Sequence, residues 1–315
     1  MIEQLISKTP VIFSLMQQFI FTLSFCFPML WYTSCAMEST SEEIQDPKSK
    51  VEKSNSTTED TPSQKINYGN NAEAGDYFKV EGVKLYYEVY GHGSPILMLH
   101  GGVYGYIDEF SSLIEELSQN YQVICLATRG HGKSEVGNTP YTYKQRAEDA
   151  YHLLEYLQIS KVLVIGFSDG GHSALKLAAL YPEAVKKVIA MGIGDNPKEK
   201  NKEPYNYTSK SLLAESGSFF KSRLALMPEP DRWEESLQYS NHLYNQDLIS
   251  SETFEKIQCP VLLMNGENDQ YNTVDRLVKA YYAIPEAHLS IIPQCGHVLF
   301  FCNFEAVWES LEWFL

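Results

Sequence analysis

Three residues of this 315-residue chain have the types and settings that nucleophilic chemistry needs: Ser168, Asp269 and His297. A serine hydroxyl is a poor nucleophile until a base takes its proton, and a histidine serves as that base when a carboxylate fixes its tautomer. Ser168 lies in Gly166-Phe167-Ser168-Asp169-Gly170-Gly171. An apolar, β-branched run at 162–165 precedes it and helical spacing resumes at 173–179. That predicts a tight strand-to-helix turn with the serine at its apex, where glycines avoid collision with neighbouring backbone. Asp269 ends Gly266-Glu267-Asn268-Asp269 after an apolar run at 261–265, with Glu267 a rival on the same loop. His297 closes Cys295-Gly296-His297 after a strand pattern ending at 292.

These loops need elements that hold them on one edge. Alternation at 78–80 and 83–90 around Glu81-Gly82 predicts a β-hairpin, and apolar strands are expected at 96–99, 122–126, 161–167, 185–192, 261–265 and 288–292. Helical patterns fall between most of them, at 108–119, 142–157 and 275–283. Strands alternating with amphipathic helices imply an α/β fold with a mainly parallel sheet covered on both faces. The rhythm breaks at 196–257, where helix-like pieces at 209–226 and 231–244 come without a buried strand, and this region is read as a small helical cap.

Four motifs occur in order: His100-Gly101-Gly102, Arg129-Gly130-His131-Gly132-Lys133-Ser134, the glycine-flanked Ser168, and the paired loops ending in Asp269 and His297. With them, the chain from 77 to 315 resembles the α/β-hydrolase fold family, and its serine turn is similar to that of small-ester hydrolases of the valacyclovir hydrolase-like branch. The resemblance implies Ser168 as nucleophile, His297 as base and Asp269 as acid. It implies an oxyanion hole made by the backbone N–H groups of Asp169 and Gly102, with Val103 the alternative for the second. The implied activity is hydrolysis of a small carboxylic ester through an acyl-enzyme, with no cofactor and no metal. An amidase or peptidase, thioesterase, lactonase, perhydrolase or carbon–carbon hydrolase would use the same residues, and a non-catalytic ligand-binding protein of the same fold is the rival from another class. The chain departs from the family at Ala127, where an aspartate often precedes the loop arginine by two residues, and weaker bracing of that loop is expected.

Tyr104, Tyr106, Tyr271, Phe300 and Phe301 flank the loops and suit either an aromatic acyl site or the core. The Asp169 side chain suggests selection of a cationic acyl group. His100, His131 and His172 are read as structural, since they show no metal-ligand spacing. The stretch 127–134 also resembles a phosphate-binding loop, but Gly137, Asn138 and Pro140 separate it from any helix whose N-terminus would hold a phosphate.

Forty acidic against 25 basic residues, a net charge of −15, argue against nucleic acid as a partner. The substrate is expected to be a small molecule, and nothing in the sequence speaks to oligomeric state. The six cysteines form no C-x-x-C pair; Cys295 and Cys302 are read as free buried thiols, with pairing in an oxidising compartment the alternative. Residues 10–37 are almost wholly apolar and uncharged, and Tyr32-Thr33-Ser34-Cys35 resembles a loose bacterial lipobox. Residues 1–35 are therefore expected to be a signal peptide or membrane anchor, with Cys35 lipid-modified. An uncleaved anchor, a cleaved secretory signal and a misassigned start are the alternatives. Residues 36–76 have the composition of a disordered acidic linker, with nine acids against four lysines in 38–76. Together these imply an exported domain tethered to a membrane, periplasmic or at the cell surface, with no other membrane contact.

Overall fold

The computed structural model describes residues 66–196 and 203–315; the apolar N-terminal segment, Cys35 and most of the acidic linker lie outside the described residues. Eight strands, β1 (Gly75–Val80), β2 (Val83–Tyr90), β3 (Ser94–Leu99), β4 (Tyr121–Leu126), β5 (Val162–Phe167), β6 (Val185–Met191), β7 (Val261–Gly266) and β8 (Ala287–Ile292), form one sheet in the order β1-β2-β4-β3-β5-β6-β7-β8. β2 pairs antiparallel with both β1 and β4, and every pairing from β4 through β3 to β8 is parallel. The β1–β2 connection is the two-residue turn Glu81-Gly82, both at positive φ (49° and 82°). That conformation matches the twist of a hairpin and explains the glycine.

The described residues form nine α-helices: α1 (Ser111–Leu117), α2 (Tyr143–Tyr156), α3 (Asp169–Leu180), α4 (Ser209–Leu224), α5 (Trp233–Gln246), α6 (Ser251–Phe254), α7 (Val274–Ala283), α8 (Leu299–Cys302) and α9 (Phe304–Phe314). Successive strand residues point to opposite faces, so the apolar runs feed two cores. Leu97, Leu99, Ile124, Leu126 and Val164 pack with α2, α3 and α7. Their neighbours Ile96, Met98, Val123, Cys125 and Ile165 pack with α1 and α9. Thr142 starts α2 by accepting from the Gln145 N–H, and Asn303 starts α9 by accepting from the Ala306 N–H. Each supplies an N-terminal partner that the helix backbone lacks.

The cap expected at 196–257 is α4, α5 and α6, inserted between β6 and β7 without a strand among the described residues. It docks through the buried Leu243, Ile249 and Phe254, which join the core beside α2, α3 and α7, and through polar side chains. The Glu229 carboxylate accepts the Val136 N–H at 2.7 Å, the Asp247 carboxylate accepts the Tyr143 N–H at 2.5 Å, and Tyr141 and Ser236 share a hydroxyl hydrogen bond at 3.0 Å.

Two expectations need correction. Packing begins before residue 77: Tyr68 is buried, and the Glu88 carboxylate accepts the N–H groups of Gly69 and Asn71 at 2.7 and 2.9 Å. The absent aspartate at Ala127 does not leave the arginine loop loose. Asp149, from α2, accepts two hydrogen bonds from Arg129 at 2.8 and 2.7 Å, and the Ser134 hydroxyl donates to the Ala127 carbonyl at 2.7 Å. A bidentate buried pair of this kind is more directional than a single charge contact. Among the described residues no helix is long and apolar enough to cross a membrane.

Candidate active site

The parallel strands deliver β3, β5, β7 and β8 to one edge of the sheet, and the loops that leave them converge there. Ser168 links β5 to α3 at φ 53°, ψ −113°, a backbone conformation outside the ordinary regions for an L-residue. The turn closes because its glycines lack side chains. A Cβ at Gly170 would stand 1.8 Å from the Leu99 carbonyl oxygen, and one at Gly166 would stand 2.2 Å from the Gly170 carbonyl oxygen. The Ser168 N–H donates to the Met191 carbonyl of the neighbouring strand at 2.8 Å, which fixes the turn to the sheet.

Ser168 Oγ lies 2.9 Å from His297 Nε2, and His297 Nδ1 lies 2.7 Å from Asp269 Oδ2. A carboxylate only accepts, so Nδ1 carries the proton and Nε2 is free to accept from the serine hydroxyl. The carboxylate is itself fixed: Oδ1 accepts the N–H groups of Tyr271 and Asn272 at 2.8 and 2.9 Å, and the side chain is fully buried. Asn272 donates from Nδ2 to the Gly192 carbonyl at 2.6 Å, and Asn265 donates from Nδ2 to the Asn272 carbonyl at 2.6 Å. Two asparagines thus tie the acid loop to the ends of β6 and β7. The imidazole is held between the rings of Phe167 and Tyr271, each 5.0 Å away. The rival Glu267 is exposed and accepts the Gln294 N–H instead.

Gly102 and Asp169 are also brought together, since a Cβ on Gly102 would stand 2.2 Å from Asp169 Oδ2. Asp169 opens α3, where backbone N–H groups have no partner within the helix and the helix dipole favours negative charge. The preceding glycine loop is braced from two sides. His100 Nε2 accepts the Thr128 N–H at 3.0 Å, leaving Nδ1–H to donate to the Gly101 carbonyl at 2.6 Å. Glu109 Oε1 accepts the Gly101 N–H at 2.6 Å. Burial holds His100 well below the usual imidazole range, pushes His131 down to about 4, and pushes the Glu109 carboxyl up to about 8. His172 contacts the backbone carbonyls of Ser168 and Gly194, both at 3.1 Å.

The Asp169 side chain does not meet the cavity as a free charge. Its Oδ2 accepts from the buried Arg146 guanidinium at 2.9 Å and from the Tyr244 hydroxyl of the cap at 2.7 Å. The expectation that it selects a cationic acyl group is corrected by this pairing, since the carboxylate already has its cation. Arg146, Tyr244, Asn265 and Asn272 carry no motif signal, because each has a partner distant in sequence. Arg223, from α4, lines the cavity, clamps Asp108 with two hydrogen bonds at 2.8 and 2.7 Å and lies over the Phe219 ring.

The hydroxyl and imidazole open into a cavity of about 720 Å³ between the sheet edge and the cap. Of the five aromatics expected either here or in the core, Tyr104, Tyr271 and Phe301 line the cavity, whereas Tyr106 and Phe300 are buried core residues. Cys295 and Cys302 differ from expectation: they form a disulfide, while Cys125 and Cys259 are free and buried. A seven-residue separation alone permits either state, and the short helix α8 turns the chain back so that the two Cα atoms lie 5.7 Å apart. Among the described residues no group of three His, Cys, Asp or Glu side chains is arranged to hold a metal.

Known proteins resemble this chain in sequence and shape. A family model described as alpha/beta hydrolase fold matches residues 94–214. The human protein named serine hydrolase BPHL is 27% identical over 70% of this chain and 79% of its own. A 2-hydroxy-6-oxo-6-(2'-aminophenyl)hexa-2,4-dienoic acid hydrolase of Metapseudomonas resinovorans is 24% identical over 69% of this chain and 82% of its own. The crystal structure of the enol-lactonase from Burkholderia xenovorans superposes with a TM-score of 0.60 at 19% identity, covering 75% of this chain and 98% of that one. By its sheet, the matching family model and its relatives, the chain is an enzyme of the α/β-hydrolase fold, a hydrolase.

Proposed function

We propose that this hydrolase cleaves small-molecule carboxylic esters through an acyl-enzyme on Ser168. The observation that carries the reading is the hydrogen-bonded chain from Ser168 Oγ through His297 to the buried Asp269, open to the cavity at its serine end. As the hydroxyl attacks the ester carbonyl, its proton passes to His297 Nε2, and Asp269 stabilises the imidazolium that forms. The N–H groups of Gly102 and Asp169 receive the oxyanion, and loss of one such donor typically costs about 10²- to 10³-fold in rate. His297 then hands the proton to the departing alkoxide, and water repeats the sequence to release the acid. The Arg146 cation matters because an unpaired Asp169 carboxylate would oppose the negative charge built beside it.

The test is labelling of the purified full chain with a fluorophosphonate, beside Ser168→Ala, followed by p-nitrophenyl esters of increasing acyl length. Labelling and turnover lost together in the variant support the reading. A folded wild type that neither labels nor hydrolyses would move the choice to ligand binding. Carbon–carbon hydrolysis on the same residues is the second reading, favoured by the Metapseudomonas relative and assayed with a 2-hydroxy-6-oxodienoate.

We further propose export and membrane tethering through Cys35. The apolar N-terminal run and a disulfide suited to an oxidising compartment support this. Incorporation of labelled palmitate into the wild type but not into Cys35→Ala is the expected result, and equal incorporation would overturn it.

A further inference from the structure

Ser168 and Asp269 are held by bonds to the sheet, but His297 rides on a segment with thinner support. The Ser168 N–H is bound to β6, the Asp269 N–H donates to the Gly266 carbonyl at the end of β7 at 3.2 Å, and the Asp269 carboxylate accepts two N–H groups of its own loop besides that of His297. After Cys295, whose carbonyl accepts the Asn268 N–H at 2.8 Å, the chain runs through Gly296, His297 and the exposed Val298 into the single-turn helix α8. Phe301 on that turn is 70% exposed, and its N–H reaches the Val298 carbonyl only at 3.3 Å. Val298 and Phe301 line the cavity with His297. The segment is closed covalently: Cys295, buried beneath it, is bonded to Cys302 on its exposed side. Leu299 and Phe300 anchor the turn in the core from below, but the stretch between them and Cys295 is held by few backbone bonds, and a covalent ring of this size limits the local opening that remains.

We infer that the Cys295–Cys302 disulfide is a positioning element of the active site, which holds His297 on Ser168 and the Val298–Phe301 wall against the cavity, and that dithiol reduction of this bond turns hydrolysis down. The inference rests on the catalytic reading of Ser168 and His297 given above. In the reduction, a thiolate of the dithiol attacks the Cys302 sulfur and Cys295 leaves as a thiolate that takes up a proton. The second thiol of the reagent then displaces Cys302, which is also protonated. Two electrons and two protons pass to the protein, and the reagent becomes a cyclic disulfide. Among the described residues the reagent meets no other disulfide, since Cys125 and Cys259 are free thiols.

A displacement of about 1 Å in a reacting group costs on the order of 10²-fold in rate. Reduction should therefore lower kcat and the rate of fluorophosphonate labelling together, by about ten- to a hundredfold, with KM changing less. The experiment treats the full chain with dithiothreitol, checks thiol release by intact mass and folding by circular dichroism and Tm, and then reoxidises with glutathione disulfide. Cys302→Ser should show the same loss without reductant and no further response to it. If that variant does not fold, the reversible response of the wild type decides. The proposal is overturned if fully reduced, folded protein keeps kcat within twofold, or if activity falls only in proportion to the folded fraction. A Ser168→Ala variant that retains turnover would overturn the catalytic reading itself. An inactive Ser168→Ala beside a reduction-insensitive wild type would remove the disulfide proposal alone.

Discussion

Replacing Arg146 with methionine isolates the charge accounting beside the proposed oxyanion donors. The arginine stem would be kept in outline, so packing loss is small, but the guanidinium that contacts Asp169 Oδ2 at 2.9 Å would be gone. Asp169 would then be a carboxylate with a side chain only 7% exposed, left with one phenol donor from Tyr244. Breaking a buried pair by removing one partner typically costs about 3–5 kcal/mol of stability. The effect on rate can be sized from the proposed role of the Asp169 N–H. An unpaired charge on the order of 5 Å from the oxyanion, at an effective dielectric of about 20, opposes it by about 3 kcal/mol, or roughly 10²-fold in kcat. Urea unfolding measures the first quantity, and kcat on a neutral p-nitrophenyl ester measures the second. The double variant Arg146→Met with Asp169→Asn removes both charges and keeps the backbone donor, so it should recover most of both losses. The reasoning fails if Arg146→Met lies within about 0.5 kcal/mol and twofold of wild type, or if the double variant is no better than the single.

Three further outcomes are expected. Asp269→Asn should fold yet lose about 10⁴ in kcat: Oδ1 must keep accepting from Tyr271 and Asn272, so the amide nitrogen faces His297 Nδ1 and forces the wrong tautomer, and single-turnover kinetics on a folded variant would show it. Gly170→Ala should destabilise by at least about 1–3 kcal/mol, because its Cβ meets the Leu99 carbonyl oxygen at 1.8 Å and backbone cannot step aside, and a Tm within a degree of wild type would count against the turn geometry. The Glu109 carboxyl stays protonated up to about 8 in the fold against an ordinary 4.5, so between those values the folded state holds the extra proton and stability falls as pH rises. Glu109→Gln should flatten that fall, by at most about 1.4 kcal/mol per pH unit, and unchanged slopes in urea titrations would refute the assignment.

The sheet and the hydrogen-bonded trio of Ser168, His297 and Asp269 are legible in the sequence for a local reason. An apolar strand buried on both faces is written as one continuous run, and Ser168 and Asp269 each lie within a few residues of the end of such a run, whereas His297 follows the mostly exposed edge strand β8 and is marked by its Cys-Gly-His loop instead. The glycines around Ser168 are legible for the same reason, since the backbone they must admit belongs to adjoining elements. The bracing of the arginine loop shows where this stops: Ala127 suggested a missing partner, but the carboxylate is on α2, twenty positions from Arg129, and no spacing rule announces it.

What remained closed to a sequence reading is decided by turns and by contacts distant in sequence. Tyr104 and Tyr106 are two residues apart, yet one is 38% exposed in the cavity wall and the other is 1% exposed, with its hydroxyl donating to the Gly69 carbonyl at 2.6 Å. Composition treats them alike; the bend of the glycine loop separates them. Asp169 gives a sharper instance, because a carboxylate directly after the proposed nucleophile invites a functional role for its charge. Arg146 from 23 positions upstream and Tyr244 from 75 downstream occupy it instead. The sign of a buried site is set by every charge that reaches it, so a motif can place the reacting atoms while leaving the net electrostatics to the tertiary fold. That is why the substitutions at Arg146 and Asp169, outside the hydrogen-bonded trio, probe the proposed catalytic reading more sharply than another change at Ser168 would.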